Sequence, residues 1–202
     1  MSFTGIRNLR SVAFQAHQIA RRNSCRGHGG STRRGFILPS LSAAKQYRDS
    51  KVFNYSQEQI YNVISDVDRY SEFVPMCMAS TVFQHTRRTD TQQMGKQRFE
   101  AELVVGYPPF EERYTSVVRL EKPRWVEATA APGGGVFKHM RTAWELSAVD
   151  QTKTMVRFSI DFEFASILHA QAASMVFEKI AKNTLGAYQD RCRMLYGKTG
   201  GY

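Results

Sequence analysis

Apolar and polar side chains alternate in three separate runs of the second half of the chain. In Lys96–Val105, the charges Lys96, Arg98, Glu100 and Glu102 interleave with Gln97, Phe99, Ala101, Leu103 and Val105. Along Arg113–Leu120, Arg113, Thr115 and Arg119 alternate with Tyr114, Ser116, Val118 and Leu120. In Thr154–Phe164, Arg157, Ser159, Asp161 and Glu163 oppose Val156, Phe158, Ile160, Phe162 and Phe164. A period of two with one polar face predicts antiparallel strands covered on one side only. Pro108-Pro109 and Gly133-Gly134-Gly135 punctuate these runs as turns.

Helical spacing flanks the strands. Ser56 is placed to cap a helix over Gln57–Ser65, whose apolar face is Ile60, Val63 and Ile64. Asp68–Phe73 can form a second short helix that stops before Pro75. From Ile167 to about Leu195 a stripe of Ala173, Phe177, Ile180, Ala181, Thr184, Tyr188, Cys192 and Leu195 predicts one long helix, ~40 Å at ~1.5 Å per residue. The order is strand, two short helices, about six strands and a long terminal helix; it predicts an α+β helix-grip, a curved antiparallel sheet around the C-terminal helix.

Charge changes the picture at one end only. The 202 residues carry a net charge of +10, which suggests a nucleic-acid partner. Residues 1–48, however, hold nine of the 28 Lys and Arg and no acid, leaving 19 basic against 18 acidic groups in the rest. Near-neutral charge there is a poor footprint for phosphate contacts, so no nucleic-acid partner is expected. An Arg-rich, Ser-rich, acid-free start with Ile6, Leu9, Ala13, Ala16 and Ala20 at helical spacing predicts a mitochondrial transit segment. The competing reading is a basic tail for acidic partners. With Arg33-Arg34-Gly35-Phe36 as a processing site, the expected division is 1–45 transit segment, 46–197 folded domain and 198–202 flexible tail. No run of 18 apolar residues exists to span a bilayer. Three cysteines at 25, 77 and 192 offer neither a disulfide framework nor a Cys-based zinc site.

Catalytic and metal signatures are missing from the sequence. His17 and His28 fall in the transit segment, and His85, His139 and His169 stand apart from any partner at metal-ligand spacing. There is no GxSxG, phosphate loop, GxGxxG or CxxC, so neither metal nor cofactor is expected. The inward parity of the strands instead gathers Phe99, Leu103, Tyr114, Val118, Met140, Trp144, Phe158, Phe162 and Phe164, with Gln97, Ser116 and Thr142 as mild polar members. Periodicity alone leaves open whether they fill a core or line a hollow one that takes an apolar ligand.

Four elements of the sequence carry a resemblance. Asp68-Arg69-Tyr70-Ser71-Glu72-Phe73-Val74-Pro75-Met76-Cys77 resembles the RYxEFVPWC element of the mitochondrial coenzyme Q-binding protein family, with Met76 where the family often has Trp. Gly106-Tyr107-Pro108-Pro109-Phe110-Glu111-Glu112-Arg113-Tyr114-Thr115-Ser116 is similar to its GFPPxxERYTS element. Phe137-Lys138-His139-Met140 followed by Trp144 resembles its FxHL…W strand, and Phe162-Glu163-Phe164 with Leu168-His169-Ala170-Gln171 its FEFxSLLHxQ junction. The likeness runs from about Tyr47 to Tyr196, within the START and polyketide-cyclase superfamily.

The resemblance implies a non-catalytic lipid chaperone that binds ubiquinone, with late biosynthetic intermediates as further ligands. It also implies a peripheral position on the matrix side of the inner mitochondrial membrane and a role in respiration and quinone synthesis. The ligand-lining candidates are then Phe99, Leu103, Tyr114, Ser116, Val118, Met140, Trp144, Phe158, Phe162 and Phe177, with the hydroxyls of Tyr114 and Ser116 orienting the quinone head. Tyr107, Phe110 and Phe137 are candidates for membrane contact. The alternative is a cyclase-like enzyme acting on an apolar substrate in the same cavity.

Overall fold

The computed structural model describes residues 44–90, 95–107, 110–132 and 137–198, and of Tyr107, Phe110 and 167–179 the backbone alone. The expected transit segment up to residue 43, the two turns Pro108-Pro109 and Gly133–Gly135, and the tail beyond 198 lie outside these residues. Seven strands run β1 Ala44–Phe53, β2 Cys77–Thr89, β3 Lys96–Tyr107, β4 Phe110–Glu121, β5 Trp125–Ala130, β6 Phe137–Ala148 and β7 Thr154–Phe164. Helix α1 spans Gln57–Ser65, a 3-10 helix Val67–Glu72 follows it, and α2 spans Ile167–Tyr196. All strand pairs are antiparallel in the order β1-β7-β6-β5-β4-β3-β2. This is the expected helix-grip order. Strand β1 begins at Ala44, opposite Glu163, so pairing starts ahead of the boundary expected at residue 46.

Local chemistry explains the helix ends. The Ser56 side chain accepts from the Gln59 backbone N–H at 3.3 Å while Gln59 Oε1 accepts from the Ser56 N–H at 2.9 Å, a reciprocal cap that satisfies two orphan donors. The second short helix is a 3-10 turn one residue earlier than expected. Gly197, at φ +78°, closes α2 with its N–H on the Arg193 carbonyl, a conformation that suits glycine.

Sheet and helices meet over one core. Helix α1 inserts Ile60, Val63 and Ile64 below the sheet, and α2 contributes Ala181, Leu185, Tyr188 and Cys192. Helix α2 runs closest to β7, β1 and α1. The other sheet face carries the charges: Arg141 pairs with Glu127 at 2.6 Å, Lys138 with Glu163 at 2.8 Å and His139 with Asp161 at 2.5 Å. Exposed pairs of this kind contribute little each, so burial of the inner face carries the stability.

Candidate functional site

Strand register sorts the inward side chains into rows across the sheet, and the rows differ in bulk. The row Leu120, Val126, Trp144 and Phe158 is large throughout. Next to it, Phe99, Val118, Ala128, Thr142 and Ile160 stand opposite one another in turn. One step further the row is small: Val82, Ala101, Ser116 and Ala130. Beyond that come the facing pairs Leu103–Tyr114 and Met140–Phe162. Small side chains lie in the middle of this face with large ones on both sides, and Ala101 and Ser116 are covered, at 0% and 1% exposure.

Toward the C-terminal half of α2 the packing is aromatic. Trp144 lies 4.4 Å from both Phe158 and Tyr188, centroid to centroid. Tyr188 meets Phe73 edge-on at 5.0 Å and Tyr70 at 5.7 Å. The Tyr188 hydroxyl bonds that of Tyr70, which itself donates to the Ile64 carbonyl at 2.5 Å. Arg191, only 10% exposed at its side chain, holds Glu72 at 2.7 Å and lies over the Phe73 ring. These contacts tie the 3-10 helix to the C-terminal half of α2.

At the other end, Phe137 packs edge-on against Tyr114 at 5.3 Å and Phe162 at 5.9 Å, and beside Phe164 at 5.2 Å. Expected in a loop at the membrane, Phe137 instead opens β6, and the irregularity between Phe137 and His139 brings its half-buried ring onto the inner face. Tyr107 and Phe110 face each other at the ends of β3 and β4. Their side chains lie outside the described residues, as does that of Phe177. Below this turn, Gly106 at φ +123° donates its N–H to the carbonyl of Met76, which stands at φ +63°. A left-handed methionine is uncommon. It redirects the chain into β2, where a bulge separates Cys77 from Ala79.

The polar content of the site is a set of hydroxyls. Tyr114 is 9% exposed, and no buried side-chain polar atom among the described residues is left without a partner. Burial raises its pKa first, and the nearby Cys77 and Tyr70 add to this, so the phenol stays protonated. Ser116, 1% exposed, reaches the Thr129 carbonyl at a long 3.5 Å. Burial alone pushes the Cys77 thiol up to about 11, which keeps it neutral and unreactive. From the Leu103–Tyr114 pair to the Trp144–Phe158 pair, the described inward positions of β3–β7 carry no His, Asp or Glu. Among the described residues no group of three metal-ligating side chains occurs either.

The ten expected lining residues therefore divide. Leu103, Tyr114, Met140 and Phe162 share the inner face next to the small row, to which Ser116 belongs. Trp144 and Phe158 join Tyr188 in the aromatic packing, and Phe99 and Val118, at 0% and 1% exposure, are as fully covered as Ala101 and Ser116. Ala101, Ala130, Tyr70 and Tyr188 were not expected in the site. The alanines become visible only once register aligns them with Ser116, and the tyrosines only once α2 crosses the 3-10 helix.

Residues 53–188 match the family described as polyketide cyclase / dehydrase and lipid transport. A mitochondrial coenzyme Q-binding protein of Xenopus laevis is 33% identical over 202 residues, covering 96% of this chain and 78% of that one. A ribosome association toxin of Vibrio cholerae is 25% identical, covering 76% of this chain and 99% of its own. Among solved structures, the Zhui aromatase/cyclase of Streptomyces superposes with a TM-score of 0.61 at 15% identity, covering 78% of this chain and 99% of that one, a likeness of fold. Rows of inward aromatics, the four sequence elements and these matches agree: the chain belongs to the polyketide cyclase / dehydrase and lipid transport family, with the mitochondrial coenzyme Q-binding proteins.

Proposed function

We propose that this protein binds coenzyme Q between its sheet and α2 and carries it as a lipid chaperone, without transforming it. The observation that supports this reading most is the largely buried, protonated Tyr114 phenol on the inner face beside the small-residue row Ala101, Ser116 and Ala130. A quinone carbonyl offers an acceptor for that hydroxyl, a hydrogen bond worth about 0.5–1.5 kcal/mol net. Leu103, Met140 and Phe162 then hold the first isoprenoid units. A polyprenyl tail in water costs ~0.8 kcal/mol per CH₂, so its transit needs cover; transfer from bilayer to an apolar room is nearly neutral, which suits exchange over permanent retention.

In this reading the acid-free, Arg-rich residues 1–45 direct the protein to the mitochondrion. It works peripherally on the matrix side of the inner membrane, with the Tyr107–Phe110 turn at the lipid, and late biosynthetic intermediates bearing the same head enter the same site. The absence of His, Asp and Glu among those described inward positions favours a carrier over an enzyme. Lipids extracted from the purified full chain and quantified by mass spectrometry test the reading. Coenzyme Q is expected in the wild-type extract and about tenfold less in Tyr114→Phe, which keeps the ring and removes only the hydroxyl. A well-folded wild-type protein without quinone, or a Tyr114→Phe variant that retains all of it, would overturn the assignment.

A further inference from the structure

At the end of the sheet far from Tyr114, the chain builds a second concavity of about 870 Å³ from the ends of β2, β4 and β6 and the starts of β3 and β5. That volume falls within the range of small-ligand sites. Its lining is cationic: Arg88, Lys96, Arg98, Arg119 and Arg124 face three carboxylates, Asp90, Glu121 and Glu145. Register makes the arrangement unusual. Arg88 stands directly opposite Arg98, and Arg98 directly opposite Arg119, on three adjacent strands. Like charges in facing positions destabilise a sheet.

Compensation within the protein is incomplete. Arg98 reaches Glu100 at 3.1 Å. Arg119 approaches Glu127 at 3.6 Å, but Glu127 is already held by Arg141 at 2.6 Å. Arg88 makes no ion pair with any described residue, and its guanidinium donates only to the backbone carbonyls of His85 and Arg87. Strands lie ≈ 4.7–4.9 Å apart, so the three arginines rise along a line of about 10 Å. One carboxylate spans too little of that line. Two linked phosphate groups fit it, each presenting oxygens to a planar guanidinium fork.

We infer that this arginine ladder is a binding site for a diphosphate-bearing ligand, separate from the proposed quinone site. The site binds phosphate oxygens through Arg88, Arg98 and Arg119, and the ligand offsets the repulsion that the empty ladder carries. Full-length protein titrated with inorganic pyrophosphate, against sodium chloride at matched ionic strength, tests it by calorimetry and thermal melting. Pyrophosphate is expected to raise the melting temperature beyond the salt control. Arg88→Gln and Arg119→Gln are each expected to weaken binding tenfold or more. Without ligand, Arg88→Gln should melt no lower than wild type, because it removes a like-charge contact and no ion pair. Flotation with phosphatidylcholine vesicles, with and without cardiolipin, whose two phosphates are linked through one glycerol, separates the sources. Binding to the anionic vesicles alone, lost in both variants, assigns the phosphates to lipid headgroups, whereas pyrophosphate binding assigns them to a soluble ester. No response to either probe beyond the salt control, or an undiminished response in both variants, overturns the site.

Discussion

The two halves of the sheet's inner face use similar residues to different ends. Toward α1, Phe53, Phe99, Ile60, Ile64, Val118, Val156 and Cys192 are 0–1% exposed and interlock around Thr154, whose hydroxyl donates to the Tyr55 carbonyl at 2.9 Å. Toward the β3–β4 turn, Phe137 and Phe164 are only partly buried, as is Ala130 of the small row. One half closes upon itself and supplies stability. The other carries the Tyr114 phenol and the small row, to which the proposed binding is assigned. A helix-grip can hold both because α2 runs closest to β7, β1 and α1 rather than over the middle of the sheet.

Substitutions at matched positions in the two halves break or sharpen this contrast. The largest effect is expected for Phe99→Ala, which leaves a void in packed core and should cost about 3–5 kcal/mol in urea unfolding. Leu103→Ala, on the same strand but in the other half, should cost about 1–2 kcal/mol, below the usual range for leucine, because it enlarges the space proposed for the quinone. Equal losses at the two positions would mean that the upper half is packed core as well.

Alkaline pH gives a second, broader effect. Burial pushes the Cys192 thiol up to about 12 and the Cys77 thiol up to about 11, from an ordinary 9.0. The buried phenols of Tyr70, Tyr114 and Tyr188 are raised as well. In each case the folded state holds its proton more tightly than the unfolded chain. The contribution is therefore complete below pH 9 and is lost as pH climbs through 11 and 12. Urea midpoints are expected to be independent of these groups from pH 7 to 9 and to fall steeply above that range. Cys192→Ala should blunt the fall. An unblunted fall in that variant would remove the closed-half thiol from the account.

The smallest effect separates the helix that spans both halves. Gly186 sits in the interior of α2, where an added Cβ would meet nothing within 4 Å. Gly186→Ala is expected to stabilise the protein by up to about 1 kcal/mol through helix propensity. Should α2 bend there to admit ligand, the same change would slow quinone exchange with vesicles, while an unaltered exchange rate would assign the glycine no part in loading.

The fold was largely legible because alternation in β3, β4 and β7 and the stripe of α2 report directly on which side of each element is buried. Ser56 with Gln59 marked the start of α1 for a local reason, the reciprocal cap. The site was legible by parity only. Parity placed Leu103, Tyr114, Met140 and Phe162 on the inner face but gave Phe99 and Val118 the same standing, since it carries no information on register. Register aligned Ala101 with Ser116 and Ala130, and that alignment sets the small row apart from its bulkier neighbours. Phe137 looked like a loop aromatic because the irregularity that turns it inward leaves no mark in the sequence. The arginine ladder was hidden for the same reason, since Arg88, Arg98 and Arg119 meet only across strands.

Filling the proposed site tests the central claim most directly. Ala130→Leu adds bulk to the small row, and its melting temperature and quinone content can be measured on the same full-length preparation. If coenzyme Q occupies this space, the account predicts a protein that melts at or above the wild-type temperature and has lost most of its quinone. A protein that unfolds from overpacking, by about 1–3 kcal/mol, while retaining its quinone would contradict it.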